Sequence, residues 1–248
     1  MPKAGNSDAE YEDAFWPAET AVDLPLKGLC CAVADGATET SFSGAWANLL
    51  THCWCDENGD LDQFLVAFPA LQEQWASQIE SVAMPWYVEE KARAGAFSSI
   101  IGLKLSDVVP DSGWPARWEA FAVGDSCLFH VRAGEIYAFP LSHPMDFNNS
   151  PYLLSTAIQS VEEVGEHFSH VGGKCFAGDV FYLMTDALAC WFLRRHGEGQ
   201  NIAESLLDLD STEMFQRIIE GQRVAKDAEG RFYLRNDDVT LYRLEIHE

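Results

Sequence analysis

Two kinds of apolar pattern run along the chain. Short runs such as "CCAVA", "FAV" and "FYLM", bounded by turn-forming residues, predict strands over Gly28–Ala34, Ser98–Leu105, Trp118–Val123, Leu128–Arg132, Glu135–Phe139, Val180–Met184 and Val239–Ile246. Apolar residues recurring every three or four positions predict helices over Ser43–Trp54, Leu61–Ser81, Trp86–Arg93, Leu188–His196 and Thr212–Ala225. Pro69 is expected to kink or divide the second of these, because it has no backbone N–H to donate. "LFHVRAGEIYAF" reads as a hairpin turning at Ala133-Gly134. Strands come in pairs and helices in groups, without strict alternation. That order favours an α+β arrangement, antiparallel sheets with helices packed outside, over a doubly wound parallel sheet. No repeat, low-complexity tract or Pro/Gly/Ser linker divides the chain, so residues 1–248 are expected to form a single domain.

The pattern has a recurring detail. "CAVADG" ends in Asp35, "FAVGDS" in Asp125 and "FYLMTDA" in Asp186, while "NDDVTLY" opens a strand just after Asp237 and Asp238. A further acidic pair, Glu12-Asp13, stands in "EYEDAF". Any one Asp in such a place reads as a turn residue or helix cap, and Asp186 before Leu188–His196 fits that description by itself. Repeated at the lips of buried strands, the same residue type points to convergence. Carboxylates brought to about 4 Å repel by roughly 4 kcal/mol at an effective dielectric of 20, so a cluster needs protons or cations. Hard oxygen donors with little His or Cys nearby favour Mg²⁺ or Mn²⁺.

Taken in order, these stretches resemble the metal-dependent serine/threonine phosphatases of the protein phosphatase 2C (PPM) family, as a divergent, bacterial-type member. "YEDAF" is similar to the family's E-D motif, "VADG" to its strand-ending D-G, and "GAFSSIIGLKL" to its small-residue turn into a strand. "VGDSCLFHVRAGEI" resembles its G-D-S-R hairpin, "GDVFYLMTDAL" its T-D-G segment and "NDDVTLY" its closing D-N-x-T. The resemblance implies a four-layer α-β-β-α sandwich, two mainly antiparallel sheets flanked by helices, with a two-ion centre at one end. It implies that Asp35 bridges two Mg²⁺ or Mn²⁺ ions. Glu12 and the Gly36 carbonyl would complete one site, and Asp186 and Asp237 the other. Asp13 would stand behind the ligands, and Asp125 would orient water or help hold a third ion. Two cations sharing a water lower its pKa from about 15.7 towards 7, which supplies a nucleophile for in-line attack on phosphorus. No protein nucleophile is then needed, in keeping with a sequence that has neither a GxSxG elbow nor a Cys-x5-Arg loop. The implied substrate is a phosphorylated protein. A noncatalytic pseudophosphatase acting as a protein-binding module, and a phosphatase of small phosphoesters, are the alternatives.

The sequence departs from the family at particular positions. The family's phosphate-gripping Arg, four residues before the motif Glu, is Asp8 here. Lys3, Lys174 and Arg235 are all candidates to replace it. Ala37 follows D-G where eukaryotic relatives often have His, Cys127 ends the G-D-S motif, Ala187 follows Asp186, and Cys190 stands where many relatives have another Asp.

Composition narrows the classes further. Among 248 residues, 39 are acidic and 16 basic, a formal net charge of -23. Such a field repels phosphate backbones and anionic lipid, so neither nucleic acid nor a membrane surface is an expected partner, whereas divalent cations are attracted. A content of 48% hydrophobic residues supports a sizeable core and argues against disorder. The opening "MPKAGNSDAEYEDAF" contains no apolar signal-peptide region, and Asp186 interrupts the most apolar run. Seven cysteines, an odd number without a CxxC pair, are expected to be reduced and mostly buried in a cytoplasmic protein.

Weaker signals have plainer readings. "DENGDLD" (Asp56–Asp62) starts like a calcium loop but has Leu61 and Ala67 where Gly and Glu are required, so an acidic turn is expected. "HVGGK" (His170–Lys174) lacks the rest of a phosphate-binding loop and reads as a turn. Trp46, Trp54, Trp75 and Trp86 are expected in the core. Leu141–Ser155, rich in turn residues, is a candidate rim to the active site.

Overall fold

The structure, a computed structural model, describes residues 1–18, 28–37, 42–80, 92, 95–107, 116–148, 150–157 and 159–247. One sheet runs in the order β1 (Ala14–Trp16), β2 (Cys30–Ala34), β4 (Ile100–Asp107), β5 (Ala116–Val123), β9 (Ser169–Cys175). The other runs β11 (Leu241–Glu245), β10 (Val180–Met184), β6 (Cys127–Arg132), β7 (Glu135–Phe139). A short ribbon joins β3 (Phe97–Ser98) to β8 (Leu154–Ser155). The pairings are all antiparallel.

The period of two within each strand explains the layers. In β2, Cys31 and Val33 face inward with Ile101, Leu103, Ala120, Phe181 and Leu183, and this set forms the core between the two sheets. Ala32 and Ala34 face the other way, onto Trp46, Leu50 and Trp54 of helix α1 (Ser43–Asp56) and Phe64 and Phe68 of α2 (Leu61–Glu80). In β10, Tyr182 and Met184 turn out against Trp191 and Phe192 of α4 (Asp186–Gly197), which packs with α5 (Ile202–Leu207) and α6 (Thr212–Val224). A short helix, α3 (Val161–Glu166), lies beside α2. Strands covered on both faces read as unbroken apolar runs, which is why β2 and β10 stood out in the sequence. Helices, two sheets and helices give the expected four layers.

Several local expectations change. Pro69 does not divide α2, which is one helix whose buried Phe64, Phe68, Leu71, Trp75 and Ile79 hold both halves to the core. "HVGGK" is no turn but the middle of β9, an edge strand paired with β5. A Cβ on Gly173 would lie 2.9 Å from Trp118 Nε1, so the glycine lets this strand cross the indole. α4 begins two residues earlier than expected, at Asp186, with Thr185 as its N-cap. The strand expected over Val239–Ile246 is confined to Leu241–Glu245. The hairpin at Ala133-Gly134, the acidic turn after α1 and the burial of Trp46, Trp54 and Trp75 agree with the sequence reading. Of the helix expected over Trp86–Arg93 only Ala92 is among the described residues, and Trp86 is outside them. All seven cysteines are free thiols, five of them buried. No helix among the described residues is long and apolar enough to cross a membrane.

Register carries the acidic residues to one end. Ala14 pairs with Ala34, so Glu12-Asp13 enters where Asp35 leaves. β5 is antiparallel to β4, as β2 is, so Val123 and the following Asp125 exit at the same edge. In the second sheet Cys127 pairs with Met184 and Met184 with Leu241. Asp125, Asp186 and the Asp237–Asp238 pair therefore all lie at that edge.

Candidate metal centre

Asp35 is fixed through its backbone: its carbonyl accepts from Ser99 N at 3.0 Å and from Ser98 Oγ at 2.9 Å. Gly36 follows in an isolated bridge to Ser98. A Cβ there would stand 2.6 Å from the Glu12 carbonyl oxygen and 2.8 Å from Ser43 C, so only glycine lets the N-terminal segment and α1 close on this turn. Asp238 ties the same segment down from the far end of the chain, its carboxylate accepting from Lys3 N and Glu12 N, each at 2.8 Å. Glu12 Oε1 in turn accepts from the Ser43 hydroxyl at 2.8 Å. Asp13 is buried, and its Oδ2 accepts from Thr185 Oγ1 at 3.0 Å and Thr240 Oγ1 at 2.7 Å. Thr185 thus gives its hydroxyl to Asp13 rather than to the first turn of α4. Asp186, the first residue of that helix, puts its negative charge where the helix dipole favours it.

The acids act on one another electrostatically. Burial pushes the Asp35 carboxyl well above the usual range, and the charges of Asp13, Asp186, Asp125 and Asp237 add to the effect. Asp125 is raised to about 7, by burial first and Asp186 next, and Asp13 to about 7, chiefly by burial. Asp237 is also raised, again by burial. Against these stands the Arg235 guanidinium. Arg235 Nη2 lies 2.9 Å from Asp237 Oδ2 and contacts Asp186 Oδ2 as well. Asp186 Oδ1 and Asp13 Oδ1 are buried with no hydrogen-bond partner. Crowded oxygen donors with orphaned carboxylate atoms suit a hard divalent cation. The side chains are not set as a ready cage: among the described residues no three His, Cys, Asp or Glu side chains stand together as an ion-holding group. Glu12 is turned onto Ser43, and Asp186 and Asp237 onto Arg235.

No protein-family model and no curated protein matches the sequence. Solved structures do. The Mycobacterium tuberculosis serine/threonine phosphatase PstP/Ppp superposes with a TM-score of 0.62 at 16% identity, over 100% of this chain and 96% of that one. The PstP catalytic domain in complex with two manganese ions gives 0.59 at 17% identity, over 100% and 96%. The PPM Ser-Thr phosphatase MsPP from Mycobacterium smegmatis gives 0.52 at 15% identity, over 99% and 95%. The chain has the PPM phosphatase fold.

Within the PPM fold the proposed replacements for the phosphate-gripping Arg separate. Lys174 lies at the far end of β9, where its carbonyl accepts from Arg132. Lys3 is close enough for its charge to lower the Asp237 carboxyl slightly, but only Arg235 stands among the carboxylates. Asp8 sits exposed in a single 3-10 turn. A cleft of about 600 Å³ adjoins the centre, with Asp186, Arg235, Trp191, Tyr233 and Phe147 in its wall. Phe147 belongs to the Leu141–Ser155 loop, read from the sequence as a rim. Ser43, Thr185, Thr240 and the positioning work of Asp238 were missed. The hydroxyls of "TDA" and "DDVT", standing next to the acids in the sequence, were the available signal.

Proposed function

We propose that this chain is a divergent PPM-type phosphatase, one domain over residues 1–248, that hydrolyses phosphoserine and phosphothreonine in proteins with two Mg²⁺ or Mn²⁺ ions. The observation behind this reading is the meeting of Asp35, Asp125, Asp186 and Asp237, from separate strand ends, at one edge of a PPM fold. Glu12, Asp35 and the Gly36 carbonyl would hold one ion, and Asp35, Asp186 and Asp237 the other. Bound there, such ions supply an activated water and neutralise charge on the phosphoryl oxygens. The protein's own part is positional. Thr185 and Thr240 hold Asp13 behind the ligands, Asp238 fixes the backbone of Glu12, and Ser98 and Ser99 fix that of Asp35. Asp125, buried with the charge of Asp186 bearing on it, would orient a water or help hold a third ion on that side.

A second reading, a noncatalytic module that binds a protein partner, is favoured by the Arg235 contacts with Asp186 and Asp237 and by Asp8 in place of the usual Arg. Hydrolysis of para-nitrophenyl phosphate with Mn²⁺ decides between them. The wild type is expected to be active, and Asp35→Asn and Asp186→Asn each to lose activity by at least about a hundredfold, as for removal of a preorganised electrostatic group. Metal-independent turnover, or no loss in either variant, refutes the centre. Absent turnover with folded, manganese-binding protein favours the module.

A further inference from the structure

We propose that the cleft beside the centre is a substrate subsite, which seats a large apolar side chain lying one or two positions from the phosphoresidue in the phosphoprotein. This rests on the phosphatase reading above and names the kind of sequence that reading leaves open. The cleft, of about 600 Å³, falls within the roughly 300–1,000 Å³ of small-ligand sites. Its wall is largely carbon. Trp191 has its one polar atom satisfied by Gln222 Oε1 at 3.0 Å, so what it offers the cleft is its ring. The Tyr233 ring is held under the Arg195 guanidinium, 4.1 Å from the ring centroid. On the same wall Val224 is 75% and Phe232 52% exposed, two large apolar side chains left in water. Apolar groups gathered at a concave surface in this way mark a binding site.

The occupant follows from continuity and charge. Asp186 and Arg235 belong both to this wall and to the acidic centre, where Arg235 Nη2 lies 2.9 Å from Asp237 Oδ2. Cleft and centre are therefore one continuous surface. Successive Cα atoms of a peptide are about 3.8 Å apart, so a phosphoresidue at the centre brings its near neighbours to the cleft. The wall carries Arg194, Arg223 and Arg235 against one carboxylate, Asp186, among the described residues, in a chain with 39 acidic and 16 basic residues. A phosphorylated segment meets less repulsion here than over the acidic remainder. Arg194 and Arg223 are already committed, the first to Asp227 at 3.0 Å and the second to the carbonyls of Pro2 and Asp237. What the cleft has left to give is mainly apolar contact, which fits a Phe, Tyr, Leu or Met side chain better than a second acid.

Phosphothreonine peptides that differ at one position test this. Phe or Gln is placed in turn at each of the two positions on either side of the phosphothreonine, and kcat/KM is measured with Mn²⁺. For the wild type, Phe is expected to exceed Gln at one of these positions by about tenfold or more, the scale of burying one large apolar side chain. In Val224→Asp and Phe232→Ser that ratio should fall towards one. Val224 is exposed enough for its variant to serve if Phe232→Ser does not fold. Val66→Asp, an equally exposed valine on α2 outside the cleft, should keep the wild-type ratio. No preference for Phe at any position, with turnover still dependent on Mn²⁺ and lost in Asp35→Asn, overturns the subsite and leaves the centre standing. A preference that survives in Val224→Asp and Phe232→Ser places the side chain elsewhere and also overturns it. No turnover of any peptide overturns both readings.

Discussion

His130 lies at the opposite end of the sheets from the acidic cluster, stacked on Phe181 with 4.6 Å between ring centroids. Its Nε2 is 2.9 Å from Asp179 Oδ2, and Arg132 holds the same carboxylate. Burial lowers the imidazole pKa and outweighs the Asp179 charge, which acts to raise it. The sign follows. The unfolded chain takes up the proton at about 6.5, the folded protein only at lower pH, so stability is full above about 6.5 and falls as pH drops through that window. Asp13 and Asp125, raised to about 7, act in the opposite sense between about 4 and 7. The difference between wild type and His130→Gln isolates the histidine. Urea midpoints measured from pH 8 to pH 5 should fall more steeply for the wild type than for the variant; parallel curves would show that His130 is not titrating as argued. At this scale the sequence was legible where chemistry is local: an acid after an apolar strand shows as such. The His130–Asp179 contact spans 49 positions and Asp13–Thr240 spans 227, and no local pattern reports either.

Elements were most legible where burial on both faces made a run continuous. Val180–Met184, buried throughout, has the boundaries expected; Glu135–Phe139, an edge strand with alternating exposure, was found instead through its hairpin turn, whereas β1, β8, α3 and α5 were not foreseen, being three, two, six and six residues long. β9 shows why the rest was hidden. Its two adjacent glycines look like a turn, yet what they answer to is Trp118, paired across from Gly173 in β5 and separated from it by some fifty positions of chain. A tertiary neighbour, not a backbone bend, sets the residue type. Gly173→Val therefore tests the element. Valine has the higher intrinsic strand preference, but its Cβ would begin 2.9 Å from Trp118 Nε1 and 3.0 Å from Cε2. Crowding should win, at a cost of about 1–3 kcal/mol in unfolding free energy and with a changed near-ultraviolet dichroism from Trp118. An unchanged or raised urea midpoint would mean that the strand yields easily and the glycine has no packing role.

For the molecule as a whole, charge and fold act on the same place. A net charge of -23 favours any bound cation, and antiparallel register gathers acids from both ends of the chain at one edge. Diffuse attraction and a built centre differ in what they predict. Diffuse attraction responds to ionic strength and is nearly indifferent to any single Asp. A centre responds to a specific ion and fails when one bridging carboxylate is changed. Mg²⁺ or Mn²⁺ at a hundred times its dissociation constant should stabilise the folded protein by about 2.7 kcal/mol. For a chain of this length that is a rise of roughly 5–10 °C in melting temperature. NaCl at matched ionic strength should produce much less. Asp35→Asn should abolish the divalent-specific part while leaving the response to NaCl, because Asp35 is the carboxylate on which the charges of Asp13, Asp125, Asp186 and Asp237 all bear. If magnesium, manganese and sodium shift the melting temperature alike at equal ionic strength, or if Asp35→Asn keeps the divalent increment, the acidic edge is a solvated surface and the two-ion centre fails.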